Sequence, residues 1–148
     1  MLVIERATDF EEAATIIREY ALSTGVDLEF QGFTHEIGSL ATYYDPLLLA
    51  RWDGELAACG ALRDLGDGLC EMKRLYVRPR FRGHAIGRAV AERLIAIARE
   101  RGFRAMRLDT LPSMRDAMHL YESLGFVDIA PYRFNPVEGS RFLELTLR

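Results

Sequence analysis

The sequence predicts an α/β fold: a mixed, mostly antiparallel central sheet with flanking helices. Three observations carry this reading. Short apolar runs alternate with stretches of helical period, turn residues link three consecutive runs in the middle of the chain, and one run ends in a glycine-rich passage that opens a helix. With 148 residues, no linker and no repeat, residues 1–148 are expected to form a single domain.

The elements follow in order. Leu2 to Arg6 alternates apolar and polar side chains, as a strand does. Thr8 followed by Glu11 has the spacing of a capping box, and Phe10, Ala14, Ile17 and Ala21 recur at helical period, so a helix is expected to about Leu22, before Gly25. A short helix is expected around Thr34 to Leu40. Leu47–Trp52 and Glu55–Leu62 flank Asp53-Gly54, the two-residue signal of a type I′ hairpin. Gly66-Asp67-Gly68 turns the chain into a third strand, Leu69 to Val77, which Pro79 ends because it has no N–H to donate. Ile86, Val90, Leu94 and Ile97 form the stripe of a helix that ends near Arg101, before Gly102. Ala105–Asp109 reads as a strand, Pro112-Ser113 opens a helix ending at Gly125, and Phe126–Ala130 and Phe142–Leu147 read as the last strands.

Composition narrows the function. Hydrophobic residues make up 49% of the chain, enough for a buried core. No apolar stretch approaches the roughly 20 residues that span a bilayer, and the first residues lack the basic-then-apolar pattern of a signal peptide, so no membrane partner and a cytoplasmic location are expected. Cys59 and Cys70 read as small buried hydrophobes, and His35, His84 and His119 have no zinc spacing, so no metal is expected. A net charge of −3 argues against general nucleic-acid binding. Yet Met72 to Arg88 holds no acidic residue beside Lys73, Arg74, Arg78, Arg80, Arg82 and Arg88, a run that points to one defined anion or else to a solvated surface.

The chemistry concentrates where the third central strand passes into its helix. In Arg82-Gly83-His84-Ala85-Ile86-Gly87-Arg88, small residues at 83, 85 and 87 let backbone N–H groups converge at the positive end of a helix, with Arg82 and Arg88 able to add charge. The other reading is an ordinary tight turn. No Gly-Lys-Ser/Thr follows, so this is not a Walker loop, and no G-x-G-x-x-G is present.

This passage resembles the pyrophosphate motif Q/R-x-x-G-x-G/A of the GNAT acetyltransferases, as Arg82-x-x-Ala85-x-Gly87, with alanine where glycine is usual. A second segment, Ala117-Met118-His119-Leu120-Tyr121-Glu122-Ser123-Leu124-Gly125-Phe126, is similar to the family's A-x-x-L-Y-x-x-x-G-F; Met114 stands where many members carry asparagine. The resemblance implies acetyl-CoA as co-substrate, held at Arg82, Gly83, His84, Ala85, Gly87 and Arg88. Its pantetheine arm would lie between splayed strands against the backbone of Leu75 and Val77. It implies direct transfer of acetyl to a primary amine in a ternary complex, with Tyr121 as general acid to the leaving thiolate. Tyr121 also reads as a core aromatic on the stripe with Ala117 and Leu124.

Period-two alternation puts residues 71, 73, 75 and 77 on one face, which makes Glu71 the candidate base; a salt bridge with Lys73 or a nearby arginine is the competing role. Phe30, Gln31, Phe33 and Glu36, with Tyr132, Arg133 and Asn135, are candidates to wall the amine site or simply to pack on the sheet. The acceptor is expected to be a small-molecule or protein amine, and a homodimer is compatible with the reading. A non-catalytic acyl-CoA sensor, which needs neither Tyr121 nor a base, is the alternative function.

Overall fold

A computed structural model describes Met1–Arg148. β1 (Leu2–Arg6) leads to α1 (Phe10–Thr24), then a 3₁₀ turn at Leu28–Gln31 and two short helices, α2 (Phe33–Ile37) and α3 (Leu40–Tyr43). Three strands follow: β2 (Leu47–Trp52), β3 (Glu55–Gly66) and β4 (Leu69–Val77). The chain continues through α4 (Ile86–Glu100), β5 (Ala105–Thr110), α5 (Arg115–Ser123), β6 (Val127–Ile129) and β7 (Arg141–Thr146). All seven strands join one sheet in the order β1-β2-β3-β4-β5-β7-β6, antiparallel except between β4 and β5.

Local chemistry accounts for the boundaries. The cap of α1 is Asp9, not the expected Thr8: its carboxylate accepts from the amides of Glu11 and Glu12 at 3.1 and 3.2 Å. The helix runs two residues past Leu22, to Thr24, and ends on Gly25 at φ 69°. It buries Ala13, Ala14, Ile16, Ile17 and Tyr20 while Phe10 stays partly exposed, so the stripe lies to one side of the one read from sequence. The single helix expected over Thr34–Leu40 is two pieces, broken at Gly38 and Ser39. Asp53 and Gly54 both have positive φ, 50° and 85°, as a type I′ turn requires. The strand before the Gly66 turn extends to Gly66, four residues beyond Leu62.

Two cores sandwich the sheet. α4 and α5 cover one face, with Val90, Leu94 and Ala98 packed on Ala58, Met72, Met106 and Leu108. α1 to α3 cover the other, around Ile16, Ile17, Leu49, Cys59 and Tyr76. Gly60 is the close-packing point of the first core. A Cβ there would stand 2.7 Å from Val90 Cγ1 and 3.2 Å from Leu94 Cδ1. Both cysteines are free and buried, and burial pushes each thiol up to about 12, so they behave as apolar core residues.

Candidate active site

Two irregularities of β4 make the site. The first is a bulge. Cys59 pairs with Tyr76 and Ala61 with Lys73, so two steps along β3 match three along β4, and Arg74 takes up the extra residue at φ 60°. Before the bulge, Cys70 and Met72 belong to the α4 face; after it, Leu75 and Val77 do. Lys73 and Arg74 therefore both point away from α4. The extra residue breaks the alternation read from sequence: Glu71 lies on the face opposite Leu75 and Val77, not beside them.

A buried ion pair anchors the bulge. Arg74 Nε and Nη2 donate to Glu36 Oε2 and Oε1 at 2.9 and 2.7 Å, with side chains 2% and 0% exposed. Burial pushes the Glu36 carboxyl up, but the Arg74 guanidinium outweighs it and holds the group below its ordinary value. The guanidinium also lies over the rings of Tyr20 and Phe33. Glu36 thus ties α2 to the centre of β4.

The second irregularity is a parting of strands. β4 and β5 pair only from Leu69–Ala105 to Glu71–Arg107, after which β4 stays on β3 and β5 on β7. Beyond that point their facing edges carry backbone groups with no strand between them. A groove of about 510 Å³ opens there, lined by Leu75, Val77, Arg82, Gly83, Ala85 and Gly87, and by Ala117 and Leu120 of α5.

At the groove's end the chain turns into α4. None of the six amides from Gly83 to Arg88 has an acceptor within the protein; the first that does is Ala89, bonded to Ala85 at 3.1 Å. Gly83 (φ 90°) and Ala85 (φ 57°) are both left-handed, which turns these N–H groups toward one another. Glycine would hold position 85 without strain, and alanine holds it at some cost. At Gly87 a Cβ would come within 3.3 Å of Val77 Cγ2, so glycine leaves the backbone open to a ligand. A string of free amides at the start of a fifteen-residue helix suits a phosphate.

The basic run contributes less than its composition suggested. Arg74 pairs with Glu36, Arg78 with Glu19, Arg80 with Glu55, and Arg88 with Glu92. Arg88 also bonds Ser123, and His84 stacks on Trp52 with centroids 4.7 Å apart, so neither side chain lines the groove. Arg82 makes no ion pair; its Nε donates to the Val77 carbonyl at 3.1 Å. Acidic residues distant in sequence neutralise half of the run, which a local reading could not see.

Where the strands part, a second cavity of about 30 Å³ passes through the sheet. It shares Leu75 and Met114 with the groove, and Tyr20 and Gln31 line it from the α1 side and Tyr121 from the α5 side. Tyr121 is buried, packs edge-on against Phe126, and makes no hydrogen bond within the protein; burial raises its pKa, so the phenol keeps its proton. Asp109 and Lys73 also line this cavity. Asp109 Oδ2 accepts from Asn135 at 3.2 Å. The Lys73 ammonium is buried with no partner, and burial pushes it down to about 8.

Glu71 lines neither cavity. It is fully buried, and its Oε2 accepts from Tyr132 Oη at 2.6 Å and pairs with Arg133. Its partner is thus an arginine from the late loop, not Lys73. Of the candidates for the amine wall, Gln31 and Asn135 reach the through-sheet cavity, while Tyr132 and Arg133 hold Glu71, Glu36 holds Arg74, and Phe30 and Phe33 pack against the α1 core. Asp109 and Thr110 also line the through-sheet cavity and were not among the sequence candidates. Their signal was position, at the carboxyl end of a central strand, where open α/β sheets place ligands.

A family model described as the acetyltransferase (GNAT) family matches residues 11–126. An uncharacterized N-acetyltransferase of Schizosaccharomyces pombe is 34% identical over 145 residues, covering 94% of this chain and 89% of that one. A solved structure of a putative acyl-CoA N-acyltransferase from Klebsiella pneumoniae superposes with a TM-score of 0.79 at 30% identity, covering 100% of this chain and 99% of that one. A putative acetyltransferase from Salmonella typhimurium, solved with its cofactor acetyl-CoA, has the same fold, with a TM-score of 0.70 at 24% identity over 99% of this chain and 94% of that one.

Proposed function

Because the chain belongs to the GNAT acetyltransferase family, we propose that it transfers the acetyl group of acetyl-CoA to a primary amine by direct attack. The observation that carries this reading is the parting of β4 from β5 above a groove that ends on six acceptor-free amides. The residues present fit the co-substrate. Gly83 to Arg88 would hold the pyrophosphate, Arg82 would add charge, and the free edge of β4 at Leu75 and Val77 would pair with an extended amide-bearing arm.

Acetyl-CoA supplies an activated acyl thioester. The chain's residues handle charge and protons around it. Backbone donors of β4 after the bulge stay fixed by the Arg74–Glu36 pair, so they need not reorganise as charge grows on the acyl oxygen. Tyr121, protonated at neutral pH, would give its proton to the departing sulfur. Asp109 is the carboxylate that shares the through-sheet cavity with Tyr121 and Leu75, and we assign it the proton of the incoming amine. Glu71, committed to Arg133 and Tyr132, would act on the amine only at a distance, by holding the late loop that carries Asn135.

The test is incubation of the protein with acetyl-CoA and a panel of amines, read by mass for gain of one acetyl group and by release of free thiol. Thiol release matched by an acetylated amine is expected. Tight acetyl-CoA binding with no acetylation of any small amine or peptide N-terminus would favour a non-catalytic sensor.

A further inference from the structure

Three residues lining the cavity of about 30 Å³ each carry a buried polar atom without a partner: Lys73 Nζ, Gln31 Oε1 and Thr110 Oγ1. Lysine is almost never buried unless paired, and Lys73 is only 6% exposed. The charges around it are already committed. Arg74 is matched by Glu36, and Glu71 pairs through Oε2 with Arg133, its Oε1 having no hydrogen-bond partner, Lys73 included. The remaining unpaired charge lining the cavity is Asp109, whose Oδ2 takes only the neutral Asn135 amide. Lys73 and Asp109 therefore give this small space one uncompensated positive and one uncompensated negative group.

We propose that Lys73, with Gln31, receives a carboxylate of the acceptor, so that the acceptor is a small amino acid rather than a plain alkyl amine. The proposal rests on the acetyl-transfer reading and names the substrate class of that same site. The ammonium offers three donors, and the Gln31 amide turned over adds its NH₂ from the same cavity's lining. Together they match the lone pairs of a carboxylate. Geometry then fixes the other end of the molecule. The cavity meets the groove at Leu75 and Met114. An acceptor anchored on Lys73 must present its amine toward Tyr121 and Asp109 within a few bonds of its carboxylate. A cavity holding about two waters by volume accommodates the carboxylate and little more, leaving the amine on the side of the groove.

The experiment compares matched acceptors on the full chain: a set of α-amino acids, each with its carboxamide and its decarboxylated amine. It reads kcat/KM and, by calorimetry, binding of the N-acetyl acid against the N-acetyl amide. A charge-assisted contact of this kind predicts a preference for acids of about 10- to 100-fold in both readouts. Lys73→Met should erase that preference by raising KM for the acids, with acetyl-CoA affinity and melting point as controls on the fold. Should that variant melt early, Gln31→Leu should narrow the preference several-fold. Equal kcat/KM for acids and amides in the wild type overturns the proposal, as does a preference that survives in well-folded Lys73→Met. Parity with acetyl-CoA still bound and consumed refutes the substrate class alone, whereas loss of acetyl-CoA binding in the wild type refutes the acetyl-transfer reading itself.

Discussion

Glu36→Gln tests the link between α2 and the bulge of β4. The substitution keeps size and one acceptor oxygen, turns the other into an NH₂ that cannot accept from Arg74, and leaves the guanidinium charged and 2% exposed with no counter-charge. Breaking a buried pair by neutralising one partner costs about 3–5 kcal/mol, and the one retained carbonyl acceptor puts this case near the lower end. A chain of 148 residues has an unfolding entropy of about 0.3 kcal/mol/K, so the melting midpoint should fall by about 10 °C. The pH dependence has a definite sign. The folded-state pKa of Glu36 lies below the ordinary value of 4.5, so its contribution is complete above about 4.5 and lost as pH falls through the lower folded value. The difference in stability between wild type and variant, measured by urea titration, should therefore be flat from pH 8 to 5 and shrink below. Replacing both partners by Met and Leu should recover much of the loss. A variant that melts within about 2 °C of wild type, with no narrowing of the difference in acid, would refute the claim that this pair anchors the bulge.

Other expectations follow from single contacts. Gly60→Ala places a methyl 2.7 Å from Val90 Cγ1 and should cost about 1–3 kcal/mol in urea denaturation; an unchanged midpoint would mean α4 sits farther from β3. Ala85→Gly relieves a left-handed alanine, worth about 1 kcal/mol before the entropy of glycine offsets part of it, and should leave acetyl-CoA affinity equal or tighter by calorimetry. A tenfold weakening would contradict the phosphate loop described. Tyr121→Phe keeps the edge-on packing with Phe126 and removes the proton, so turnover should drop about 10- to 1,000-fold with acetyl-CoA affinity nearly intact. Wild-type turnover would leave Tyr121 a core aromatic only.

Much of the architecture was legible because it depends on local chemistry. Asp53-Gly54 dictates its turn, Pro79 ends its strand, and the apolar stripe of α4 has the period of a helix. The β7 strand lying between β5 and β6 was not legible, since a strand order is set by long-range pairing. The site divides in the same way. The small residues of Gly83 to Gly87 leave the backbone amides open, a local property that the sequence carries by itself. The faces of β4 do not, because a single extra residue at Arg74 inverts the alternation beyond it and nothing local to Lys73-Arg74-Leu75 signals a bulge. The fate of the basic run was equally hidden: Glu19, Glu36 and Glu55 meet it only through the folded chain. Lys73 gained its interest the same way, by being the one ammonium that folding buries without a partner.

The central claim is that the turn into α4 holds the phosphates of acetyl-CoA. Hydrogen exchange at the amides of Gly83 to Arg88, resolved residue by residue with and without acetyl-CoA, tests it most directly. In the free protein these N–H groups have no acceptor and should exchange quickly. Saturating acetyl-CoA should slow several of them at least tenfold, with Gly87→Val abolishing the effect through the loss of open backbone beside Val77. Protection confined to other segments, with the amides of Gly83 to Arg88 exchanging as fast as before, would contradict the account.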